Sequence, residues 1–136
     1  MKHNLTLTIT SLISILLFMF HLADDIVRGF ERGGLSNLIA VPIMVVWLYA
    51  TLVLAGRRSG YIMLLIFSVL ASGIPVIHMK GKGIGIASGI AGSSGGFFFI
   101  LTLLTLGVTG VFSVILSIHG LWSLRRSRIS DLPGVR

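Results

Sequence analysis

Of 136 residues, 54% are hydrophobic and only 11% charged, far below the roughly 25% charged share of an ordinary water-soluble domain. The formal charge of +7 would suit nucleic acid in a soluble protein, but here the basic residues stand in short clusters just beyond apolar runs. That is a topogenic pattern and argues for a bilayer rather than a nucleic-acid partner. No cysteine is present, which removes disulfide frameworks, thiolate metal sites and cysteine nucleophiles.

A bilayer core of about 30 Å needs about 20 apolar residues per helix, and four such stretches follow one another. The first begins at Leu5 after Lys2. Its apolar run to Leu22 exceeds the roughly 7 to 15 residues of a signal-peptide core and has no small-x-small cleavage site before Asp24, so it is expected to remain as a span. It should continue as helix to about residue 28 and end at Gly33-Gly34. Ser36 and Asn37 offer capping oxygens for a second span over about residues 38–55, with Pro42 near its first turn, where a proline costs little.

The basic turn Gly56-Arg57-Arg58-Ser59-Gly60 leads into a third span, about 61–79, whose internal Pro75 should kink the helix one turn before His78. Residues 80–96 are rich in glycine and serine and read as a loop. A fourth span, about 97–122, precedes Arg125-Arg126-Ser127-Arg128 and a tail over 123–136. The expected fold is thus an all-α integral membrane domain covering 1–136, an up-down bundle of four transmembrane helices. Lys2, Arg57, Arg58, Arg125, Arg126, Arg128 and Arg136 fall on one side, against Arg28, Arg32, Lys80 and Lys82 on the other. Both termini are therefore expected in the cytoplasm, with the chain in a plasma membrane or bacterial inner membrane.

The chemistry concentrates at the outer end of the first span. His21, Asp24, Asp25 and Arg28 are spaced i, i+3, i+4 and i+7 and share one helical face within roughly 100°. Ionisable residues at membrane depth are costly and turn toward protein or water, which marks them as a candidate site. One reading is a binding surface for a polar ligand or partner made of His21, Asp24, Asp25, Arg28, Lys80 and Lys82, the cations holding an anionic group or lipid headgroup. The alternative recruits His78 into a metal site with His21, Asp24 and Asp25, since imidazole and carboxylate suit a divalent transition ion. A bis-histidine haem on His21 and His78 is the poorer fit, because both lie near the membrane edge. The blandest reading is an Asp24–Arg28 ion pair in the headgroup layer.

Elsewhere, Thr102, Thr105, Thr109, Ser113 and Ser117 line one face of the fourth span, where small polar residues should pack against other helices. Tyr49, mid-span, is expected to seek a hydroxyl on that face. Gly81-Lys82-Gly83 lacks the order and setting of a phosphate-binding loop. The leading expectation is a non-catalytic accessory subunit or binding module that works through the outer His/Asp/Arg cluster, with a membrane-protein partner or a second copy of itself. A metal-dependent or redox membrane enzyme is the second, and a small oligomeric transporter or channel the third.

Overall fold

A computed structural model describes residues 2–29, 31–80 and 95–130, with side chains from 5–29, 31–78 and 95–127. Lys82 and most of the glycine-rich segment lie outside the described residues. Those described form four α-helices and no strand: α1 (Lys2–Val27), α2 (Ala40–Leu52), α3 (Arg58–Lys80) and α4 (Gly96–Ser130), with a short 3-10 helix (Leu35–Ile39) leading into α2. Four segments are long and apolar enough to cross a membrane: Leu5–Val27, Leu35–Leu52, Arg58–His78 and Gly96–Ser127.

The interior explains why a bilayer is the fitting solvent. Leu70 and Val108 are more than 60% exposed, whereas Ser11, Ser14, Ser68, Ser113 and Ser117 are almost wholly buried. Small polar residues inside and large apolar residues outside are what helix packing in lipid favours, because lipid gives apolar side chains no reason to turn inward. Three hydroxyls on α4, those of Thr102, Ser113 and Ser117, are buried as their spacing suggests. Thr109 accepts a hydrogen bond from Ser14 of α1 at 3.0 Å.

α4 packs against α1 and α3, and α2 packs against α1 and α3 on the other side. α1 and α3 also touch across the middle, while α2 and α4 do not. The ends are set by side-chain contacts. Trp47 and Thr51, toward the end of α2, bond Ser11, early in α1, at 2.9 and 2.7 Å. Tyr61, early in α3, lies where a Cβ on Gly120, late in α4, would stand. At the other end the last turns of α1 and α3 meet the first turn of α4.

Boundaries differ from the sequence expectation in several places, among them the end of α2, which stops at Leu52 and not near residue 55. Gly29, at φ +76°, ends α1 before Gly33-Gly34 is reached, since a left-handed glycine terminates the hydrogen-bond ladder. The 3-10 helix is capped at Gly34, whose N–H donates to Asn37 Oδ1 at 3.4 Å. α3 starts at Arg58, and Gly60 inside its first turn is buried against Leu54. α4 runs on to Ser130, because Ser123-Leu-Arg-Arg-Ser-Arg contains no helix breaker and glycine and proline return only at Pro133-Gly134. Tyr49 also corrects the expectation: it is half exposed, while Trp47 is the buried aromatic, stacked on Phe67 with ring centroids 5.1 Å apart.

Candidate metal centre

α1 delivers its polar face to the bundle in the register that the spacing implies. His21 and Asp25, one turn apart, are 3% and 6% exposed and face inward. Asp24 and Arg28 lie a quarter-turn round the helix and form their own pair, with Arg28 Nε donating to Asp24 Oδ2 at 2.6 Å. Adjacent aspartates thus have separate tasks. Asp24 balances Arg28, whose guanidinium carbon lies 5.8 Å from the centroid of the Phe99 ring, and Asp25 is left facing two imidazoles.

The second imidazole comes from α3. His78 Nε2 lies 3.2 Å from His21 Nε2 and 3.5 Å from Asp25 Oδ2, and His21 Nε2 lies 3.6 Å from the same oxygen. His78 Nδ1 is 2.9 Å from the Ile74 carbonyl. A carbonyl can only accept, so Nδ1 carries the proton, and in the neutral ring Nε2 presents a lone pair to the group. This backbone tether is the usual outer support of a metal-bound histidine, fixing both tautomer and ring orientation. Phe99, wholly buried at the start of α4, closes the cluster, with its centroid 5.2 Å from that of His21 and 6.0 Å from that of His78.

The triangle is too wide for good charge-assisted hydrogen bonding, which draws nitrogen and carboxylate oxygen to about 2.7–2.9 Å. Its edges instead match a shared cation. Zinc binds imidazole nitrogen and carboxylate oxygen at about 2.0–2.2 Å, and tetrahedral angles then hold two donors about 3.4 Å apart. Two buried atoms of the cluster, His21 Nδ1 and Asp25 Oδ1, have no hydrogen-bond partner among the described residues. A buried carboxylate with one oxygen unpaired and the other facing a lone pair is costly unless a positive charge joins it.

Of the residues singled out from sequence, the structure brings together His21, Asp25 and His78, and places Asp24 and Arg28 beside them as an ion pair. Glu31 is exposed and touches the group only through its backbone N–H, which donates to the Asp25 carbonyl at 3.2 Å. The Lys80 side chain and all of Lys82 lie outside the described residues. The supports missed in the sequence are Phe99 and the Ile74 carbonyl. The first is one of three consecutive phenylalanines with nothing to distinguish it, and a backbone acceptor leaves no mark in sequence. No protein family, curated protein or solved structure matches the chain.

Proposed function

We propose that this chain is a small multi-pass membrane protein that binds one divalent transition-metal ion, of the zinc type, through His21 Nε2, His78 Nε2 and Asp25 Oδ2. The observation that carries the reading is the 3.2, 3.5 and 3.6 Å triangle of donor atoms, buried at one end of the bundle. Two imidazoles and one carboxylate leave a fourth tetrahedral position for water or an external donor. The excess of arginine at the opposite end supports an orientation with that end in the cytoplasm and the metal site toward the outer face. The role is binding, because Asp24, the carboxylate next in sequence, is held by Arg28 and is not free to serve as a general base.

The 3.2 Å approach of the two histidines also admits a second reading, a single proton shared between the imidazoles. Metal loading separates the two. Purified protein, stripped with chelator and reloaded with zinc, should retain one ion per chain by elemental analysis, and cobalt should give the intense visible bands of a tetrahedral site. His21→Ala, His78→Ala and Asp25→Asn should each weaken binding more than about tenfold, since each removes a donor from a three-donor set. Full retention in all three variants, or no ion in the wild type under any loading condition, would leave only the shared proton.

A further inference from the structure

The end of the bundle opposite the histidines carries a second feature, independent of any metal. α4 is 35 residues long, about 52 Å at 1.5 Å per residue, against a hydrocarbon core of about 30 Å. Tyr61, the fourth residue of α3, lies against Gly120, so the stretch of α4 after Gly120 passes the first turn of α3 and then runs beyond it. Leu121 and Leu124 on this stretch pack back against the core. Trp122 and Arg126, one turn apart on the opposite face, turn outward, Trp122 being 52% exposed.

Arg126 lies over the indole, its guanidinium carbon 4.1 Å from the ring centroid, a cation–π contact. Held over the ring face, the guanidinium keeps N–H groups not turned to the indole, and its planar donor set is a fork that matches phosphate oxygens two at a time. No hydrogen bond or ion pair to a described residue occupies that fork. Arg125 lies beside it, and Arg57 and Arg58, both exposed, stand at the same end in the α2–α3 turn. Three of the four acidic residues in the chain, Asp24, Asp25 and Glu31, belong to the far end, and the fourth is Asp131. Tryptophan at this level is the amphipathic anchor of a membrane interface, so the surrounding phosphate is that of lipid.

We propose that Trp122, Arg125 and Arg126, with Arg57 and Arg58 in support, form a binding site for the phosphate of an anionic phospholipid in the leaflet at the arginine-rich end. The lipid headgroup is held by a preset arginine fork, and the attraction of a positively charged protein end for an anionic surface adds to it. Selectivity for anionic over zwitterionic headgroups follows, because a choline ammonium meets the same arginines with like charge.

Full-length protein in bilayer discs of equal parts phosphatidylglycerol and phosphatidylcholine, examined by native mass spectrometry, tests this. Wild-type protein should leave the disc with phosphatidylglycerol favoured several-fold among retained lipids. Arg125→Gln combined with Arg126→Gln should bring the ratio close to one, with helix content by circular dichroism unchanged. Arg126→Lys, which keeps charge without the planar fork, should fall between the two. Arg32→Gln, which removes an exposed charge at the other end, should leave the ratio at its wild-type value. No preference in the wild type, an undiminished preference in the double variant, or an equal loss in Arg32→Gln would overturn the proposal. A wild-type ratio in Arg126→Lys would overturn the planar fork. Thermal stabilisation by inorganic phosphate in pure phosphatidylcholine discs, equal to that from phosphatidylglycerol, would assign the site to a free anion instead of lipid.

Discussion

At the scale of single residues, Asp24 and Asp25 carry the same charge one position apart yet should respond oppositely to loss of it. Asp24 pairs with Arg28 at 2.6 Å with both side chains only 15% exposed. Asp24→Asn removes a charge-assisted hydrogen bond from a largely covered arginine and should lower stability by about 2 kcal/mol, the usual worth of a hydrogen bond to a charged group. Metal stoichiometry should stay at one. Asp25→Asn should abolish tight metal binding but leave the metal-free protein as stable as wild type or more so, since it neutralises a buried carboxylate that no cation offsets. Chemical denaturation with and without chelator, beside elemental analysis, reads both arms. A loss of metal in Asp24→Asn equal to that in Asp25→Asn would return Asp24 to the ligand set.

Among the elements, the α3–α4 interface depends on glycines as much as on the hydroxyl stripe. A Cβ at Gly110 would meet Ser72 N at 2.8 Å and Ser68 O at 3.1 Å, and one at Gly120 would enter the Tyr61 ring, whereas Gly73 has nothing within 4 Å of that position. Gly120→Ala should therefore destabilise by about 1–3 kcal/mol, as overpacking does. Gly73→Ala should be neutral or stabilising by up to about 1 kcal/mol from helix propensity alone. Equal melting temperatures for the two variants in detergent would refute the close-approach reading. The stripe Thr102 to Ser117 was legible in the sequence because burial of small hydroxyls follows from its period. Gly107, Gly110 and Gly120 were not, since a glycine chosen for a neighbour's backbone looks the same as one that merely tolerates lipid. Trp47 and Tyr49 show the same limit. A single residue separates them on one helix, and only the position of Ser11 on another decides which turns inward. For the candidate site, spacing on α1 placed His21, Asp24, Asp25 and Arg28 on one face and the equal depth of His78 suggested its inclusion. The division of the aspartates depends on Arg28 reaching Asp24, a choice made by side-chain rotamers.

For the molecule as a whole, the alternation of apolar spans and the seven-to-four split of basic residues predict an orientation that labelling can check. Cysteines at Ser59 and Ser127, both exposed at the arginine-rich end, should resist an impermeant thiol reagent in intact cells, and one at Ser36, exposed at the other end, should react. Labelling of Ser59→Cys from outside would invert the orientation. The histidine pair joins α1 to α3 across a separation of 57 residues, with α2 complete between them. Nothing local can assemble it. During synthesis α1 and α2 emerge first as a hairpin that holds Asp25 and only one of the two imidazoles, so a bound ion would report that α3 has been inserted and docked. Metal uptake by chains arrested after α2 should be weak, and its appearance in longer chains would time the closing of the bundle.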